Sequence, residues 1–239
     1  MIAKDGQWIM EGSEDEKLQL KSSRDLSELV NRVGFLPLFK NEITGFSAEE
    51  YTNPKDWFQG DKEKDPWEWR GMIASEGNIA YGKLFHNKAG FVTKEWYPMF
   101  AAYRRNGYDF DSRYEDGLAS RKCKQIIEVL EQKGTVPSYE LKKLAGFHKD
   151  GEKGFDGAMT LLQMQTYITV RGFQCKKNKK GEDYGWAVGM YSLSEDLFGE
   201  EYVRSAYAIP SEQARDNIIR RLMDVYPDAT YESSLRIIK

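Results

Sequence analysis

A chain of 239 residues with 40% hydrophobic, 31% charged and 13% aromatic residues has an ordinary globular profile, long enough for one large or two small domains. Two cysteines without CxxC spacing and only two histidines, His86 and His148, give a zinc or iron–sulfur centre no support, and free thiols fit a reducing cytoplasm. The net charge is only −3, yet Ser120 to Leu193 holds 13 Lys/Arg against 8 Asp/Glu, so this stretch is +5 and the rest −8.

The opening "MIAKDGQWIMEGSEDEK" has no apolar signal core, and residues 1–23 read as a loose polar arm. No stretch is long and apolar enough to span a bilayer, so a cytoplasmic protein without a membrane partner is expected. "RDLSELVNRVGF" then reads as a helix with Leu26, Leu29, Val30 and Val33 on one stripe and Gly34 as its stop. Residues 40–65 are irregular and acidic. Asp65 and Pro66 suit the cap and first position of a helix running to Glu76. "NIAYGKLF" and "AGFVT" read as strands around the turn "HNK". "KEWYPMFAAYRR" reads as a helix despite Pro98, and "NGYDFDSRYEDG" as a connector. Together these make an α+β helix-and-hairpin region over 24–116.

Residues 117–195 have the clearest pattern. "SRKCKQIIEVLEQKG" places Cys123, Ile126, Ile127 and Leu130 on one helical face. "TVPS" is short and extended because Pro137 disfavours helix before it. "SYELKKLAGF" gives a second helix with Leu141, Leu144 and Ala145 inward. "GFDGAMTLLQMQ" gives a third, with Phe155, Met159 and Leu162 inward, entered through a loop holding Gly151, Gly154 and Gly157. "TYITVRGF" and "YGWAVGMYS" alternate as strands, the latter with Tyr184, Trp186, Val188 and Met190 on one face. Residues 196–239 read as an amphipathic helix and a short last element packing back on the body.

The order helix, short strand, helix, helix, strand, turn, strand is that of a winged helix-turn-helix. Its hairpin would carry Arg171, Lys176, Lys177, Lys179 and Lys180, a basic edge suited to the phosphate backbone of duplex DNA. The bland alternative is a solvated hairpin tip. The third helix has no Lys or Arg from Gly154 to Val170. Its polar stripe of Asp156, Thr160 and Gln163 argues against ordinary reading of the major groove.

At the seam between third helix and strand, "LLQMQTYITVRG" resembles the segment of the winged-helix DNA glycosylases AlkZ and YcaQ in which a helix ends in Gln-apolar-Gln or Gln-apolar-Asp. With "DPWEWR", "KEWYPMF" and "YGWAVGMYS", the chain also resembles shorter bacterial proteins described as AlkZ-related, over most of 25–235. The resemblance implies a DNA-binding winged-helix protein acting on alkylated bases or interstrand crosslinks, with Gln163 and Gln165 as the catalytic pair and no cofactor. AlkZ-type enzymes are longer and carry the motif near the N-terminus.

The chemistry constrains that implication. A glutamine has no useful pKa and cannot serve as a general base near neutrality. It can orient water or offer its dipole to developing charge, which suffices only when the leaving base is already cationic. The alternative is that Gln163 is a good helix former on a wet face and Gln165 begins the strand. Upstream, Trp67, Trp69 and Asp65 are candidates for a pocket rim where rings stack a flipped base, or for a packed domain joint with Asp65 as a cap. A non-enzymatic regulator or partner-binding module is the alternative function, and a small-molecule enzyme built on the Trp/Asp block is a third.

Overall fold

The computed structural model describes the chain except residues 1, 5, 6, 14, 18, 149, 150 and 179, and for residues 2–4, 7 and 8 it describes the backbone alone. Two short strands, β1 (Ile2–Lys4) and β2 (Gln7–Ile9), pair antiparallel. Within the stretch that the sequence reads as a loose arm, Met10, Ser13 and Leu20 contact the body. Met10 is buried, Ser13 N–H donates to the Thr52 carbonyl and Leu20 N–H to the Tyr51 carbonyl.

Helix α1 (Ser23–Val33) starts on the Ser22 hydroxyl, which accepts from Asp25 N–H, and stops at Gly34, whose φ of 97° suits glycine. Its expected stripe of Leu26, Leu29, Val30 and Val33 is buried. Strand β3 (Phe35–Pro37) leads through two 3-10 turns to α2 (Pro66–Glu76), capped by Asp65 as expected. Strands β4 (Ile79–Phe85) and β5 (Lys88–Thr93) flank His86 and Asn87, which have φ of 46° and 62°, the two left-handed residues of a tight hairpin turn. Helix α3 (Tyr97–Arg105) tolerates Pro98 because it lies in the first turn, where no intrahelical N–H bond is lost. The connector after it contains a helix of its own, α4 (Phe110–Glu115), nucleated by Asp109 accepting from Ser112 N–H.

Next come α5 (Arg121–Lys133), β6 (Val136–Pro137), α6 (Ser138–Leu144), α7 (Phe155–Met164), β7 (Ile168–Lys177) and β8 (Asp183–Leu193), in the expected order. Helices α8 (Ser194–Phe198), α9 (Glu200–Arg204), α10 (Ser211–Val225) and α11 (Tyr231–Ile238) follow. Apart from the β1–β2 pair, the strands form one antiparallel sheet ordered β3-β5-β4-β7-β8-β6. The architecture is mixed α+β. The hairpin of the first half and the hairpin of the second thus share a sheet, joined where Tyr81 of β4 pairs with Val170 of β7.

Two apolar clusters flank this join. The larger gathers α1, α2, β3–β5 and side chains of α10 and α11, so the C-terminal segment packs on the body. The smaller is built from Cys123, Ile126, Ile127, Leu130, Leu141, Phe155, Met159 and Leu162 with Ile168. One inward expectation differs. Leu144 is 45% exposed, because α6 ends there and Phe147 turns back to fill the place beside Leu141. On the face shared by Tyr184, Trp186, Val188 and Met190, Tyr184 and Trp186 are exposed and the other two half-buried.

The Leu141/Leu144 contrast is measurable by chemical denaturation. Leu141→Ala should cost about 2–5 kcal/mol as a buried large-to-small change. Leu144→Ala should stay within about 0.5 kcal/mol, and equal losses would contradict this burial pattern.

Candidate nucleic-acid interface

Gln163 is in the last turn of α7 and only 3% exposed, so it is not on a wet face. Its Oε1 accepts from the Lys83 backbone N–H of β4 at 3.0 Å, and its Nε2 donates to the Met159 carbonyl at 2.9 Å. Strands β4 and β7 register only at Tyr81 and Val170, so the glutamine amide stands in for a neighbouring strand where the two diverge. The approach needs glycine at 82: a Cβ there would lie 3.0 Å from Gln163 Oε1. Gln165 is the half-buried C-cap residue of α7, with its backbone N–H on the Leu161 carbonyl. The two glutamines therefore differ in setting: one is clamped between helix and strand, the other ends the helix.

Thr166, next in sequence, is buried with φ of 64°, a left-handed conformation rare for a β-branched residue. Its carbonyl receives Arg105 Nη2 at 2.6 Å, the Tyr97 hydroxyl at 2.8 Å and the Ser194 hydroxyl. Arg105 also pairs with Glu195 at 2.7 Å and donates to the Tyr207 hydroxyl at 3.1 Å. Burial opposes the charged form of Arg105, but the Glu195 carboxylate overrides it and leaves the guanidinium more firmly protonated than usual. Burial pushes the Tyr97 phenol up to about 12, so it stays a neutral donor. This polar knot ties α3, the α7–β7 turn and α8 together.

The expected basic residues do not form one patch. Arg171 is at the base of the hairpin and donates to the Asp196 carbonyl at 3.2 Å. Lys176 turns toward α6, with its ammonium 5.3 Å from the Tyr139 ring. Lys177 pairs with Asp183 at 3.2 Å, and Lys180 is exposed near the turn. Lys179 lies outside the described residues. The hairpin also carries Trp186, 92% exposed. Beside Tyr139, α6 adds Lys142 and Lys143, both exposed, whereas α7 shows solvent Asp156 and no cation.

The Trp/Asp block divides. Trp69 is core, its indole N–H donating to the Glu63 carbonyl at 3.0 Å. Asp65 is fully buried and its carboxylate receives three backbone N–H groups, from Phe58, Gly60 and Trp67, so it is a structural staple. Trp67 lines two adjoining hollows. One, of about 470 Å³, also has Gln163 in its wall, and a wider cleft of about 960 Å³ runs between α2 and the β7–β8 hairpin past Asp65, Arg171 and Trp186. Between the two is Arg70, with its guanidinium carbon 3.6 Å from the Trp67 ring centroid and 3.9 Å from that of Phe173. Burial lowers the Arg70 pKa from its ordinary value. Arg70, Phe173, Tyr191, Lys83 and Lys88 escaped the sequence reading. The Trp67–Arg70 spacing of three on a helix was the one available sign, since such residues are neighbours on its surface.

If Gln163 is a clasp, Gln163→Ala should lose about 1–3 kcal/mol of stability by leaving the Lys83 N–H unpaired. Gln165→Ala should change it by no more than about 0.5 kcal/mol. Equal, small effects in denaturant titrations would contradict the clasp.

Among the described residues no helix is long and apolar enough to cross a membrane, and no group of His, Cys, Asp and Glu is placed to hold a metal ion. No curated protein and no solved structure matches the chain. A family model described as "AlkZ related" matches residues 20–239, from the segment before α1 through the α7–β7 seam to the last helix, and the chain belongs to the AlkZ-related family.

Proposed function

We propose that the chain is a winged-helix DNA-binding protein that engages the phosphate backbone of duplex DNA. In this reading residues 117–195 are the winged-helix unit, residues 24–116 and 196–239 form the body around it, and β7–β8 is the wing. The observation that carries the proposal is the hairpin itself. It projects beyond the body, with Lys180 exposed near its tip and an almost fully exposed Trp186 on β8. Packing gives no reason to leave a tryptophan in water, whereas an exposed ring on the hairpin that carries Lys177 and Lys180 suits a nucleic-acid surface. Membership of the AlkZ-related family supports the same partner.

The wing and α6 carry the contacts in this proposal, through Lys176, Lys177, Lys179, Lys180, Lys142 and Lys143, with Arg171 steadying the hairpin base. Helix α7 is not the reading helix, because its solvent face offers Asp156 to phosphate. The Gln163 amide is committed at both ends to backbone groups, which favours binding over hydrolysis of an N-glycosidic bond. Gln163 and Gln165 are thus proposed as structural descendants of a catalytic pair, and no cofactor is invoked.

Binding of a labelled duplex, measured by anisotropy, should weaken linearly in log–log plots as salt rises, by about 0.9 per phosphate contacted. The double substitution Lys177→Glu, Lys180→Glu should flatten that slope. Salt-independent binding, or none, would overturn the proposal. Incubated with duplex carrying N7-methylguanine, the protein should release no more base than its Gln163→Ala variant. Release abolished by that substitution would restore the excision reading.

A further inference from the structure

The hollow above the Gln163 clasp has a definite chemistry. At about 470 Å³ it falls in the size range of small-molecule pockets. Its walls include the rings of Tyr81, Phe173 and Tyr191, with Val170 and Ala89. Its charged lining is of one sign. Lys40, Arg70, Lys83 and Lys88 line it, and no Asp or Glu is among the described residues that do. Lys40 is neutralised by Glu11, and the Lys83 ammonium reaches the Thr160 hydroxyl at 3.0 Å. Among the described residues, neither Arg70 nor Lys88 has a carboxylate partner.

Arg70 is the decisive group. It is 6% exposed, and its Nε is buried with no hydrogen-bond partner among the described residues. Both faces of its guanidinium are covered by Trp67 and Phe173, its Nη1 donates to the Trp67 carbonyl and the Tyr81 hydroxyl lies beside it, so part of its edge is left to face the two hollows that it lines. The carboxylates of Glu68 and Asp65 act on Arg70 from beyond ion-pair distance; a buried cation so weakly compensated is costly, and a planar guanidinium is matched to phosphate oxygens. Lys88, at the exposed start of β5, adds a second charge at the rim, while the aromatic walls provide flat surfaces on which a base can stack.

We propose that this hollow binds one nucleoside monophosphate unit, its base against Tyr81, Phe173 and Tyr191 and its phosphate held by Arg70 and Lys88. The proposal rests on the DNA-binding reading for its macromolecular source, an unstacked nucleotide of a strand. The same chemistry is presented by a free nucleotide.

Isothermal titration of the full chain with deoxyadenosine 5′-monophosphate, deoxyadenosine and inorganic phosphate tests the site. The monophosphate should bind at least tenfold more tightly than either part. Lys88→Glu, at an exposed position, should weaken it at least tenfold with an unchanged melting temperature, and Arg70→Met should abolish it while the protein stays folded. Equal affinity for nucleoside and nucleotide, indifference to Lys88→Glu, or salicylate binding as tightly as the nucleotide would overturn the assignment. A duplex with one unpaired deoxyadenosine, compared with a fully paired duplex, identifies the source. A preference lost in Lys88→Glu supports the strand, and no preference alongside tight free nucleotide supports the free ligand. The Lys177→Glu, Lys180→Glu variant should keep its affinity for the mononucleotide, so failure of the wing and failure of this site read out separately.

Discussion

The carbonyl oxygen of Thr166 is where three parts of the chain are fixed to one another. Arg105 from α3, Tyr97 from the start of the same helix and Ser194 from the start of α8 all converge on it. The left-handed backbone of Thr166 turns that oxygen inward, a conformation that costs about 1–3 kcal/mol and persists only where its surroundings over-determine it. Here they do, because Arg105 is fully buried and would be left without its partners if the turn relaxed. The seam between α7 and β7 is therefore the rigid point of the molecule.

From that point the geometry of the groove follows. The turn sets where β7 begins, and so which residue meets Tyr81 on β4. A slip of one residue would send every side chain of β7 to the opposite face, removing Phe173 from Arg70. Thr169 reinforces the register by donating its hydroxyl to the Tyr81 carbonyl at 3.1 Å, and Gln163 does so by clasping Lys83 two residues on. Gly71, where a Cβ would meet the Phe173 ring at 3.1 Å, lets α2 come close enough to complete the stack. The polar seam thus acts on the Arg70 site indirectly, through register and spacing.

Local signals were legible in the sequence. The cap at Asp65, the stripes of α1, α5 and α7, and the β4–β5 turn all depend on residues close in the chain. What escaped it depends on partners far apart. Gln163 reads as wet because its helical stripe includes Asp156 and Thr160, and nothing local announces a strand 80 positions away waiting for its amide. Alternation in "YGWAVGMYS" places Tyr184, Trp186, Val188 and Met190 on one face, but period alone cannot say whether that face is covered, and Trp186 is almost fully exposed. Asp65 was correctly read as a cap, yet its two further backbone donors come from a loop without periodicity.

Charge placement separates the two candidate surfaces. Lys177 and Lys180 of the β7–β8 hairpin remain in water, where each costs little to keep and salt would screen an attraction to phosphate. Arg70 is desolvated between two rings, and burial outweighs the nearby Tyr81, Glu68 and Asp65 in lowering its pKa, so an anion at its edge would add to its stabilisation. An anion in that hollow would bind the folded chain alone and stabilise it in proportion to occupancy. In the proposed reading the β7–β8 hairpin would supply reach and salt-dependent attraction, and the buried arginine would supply selection. In the proposed reading it matters that no carboxylate among the described residues lines the hollow of about 470 Å³ or ion-pairs with Arg70, since an internal ion pair there would occupy the edge an incoming phosphate needs.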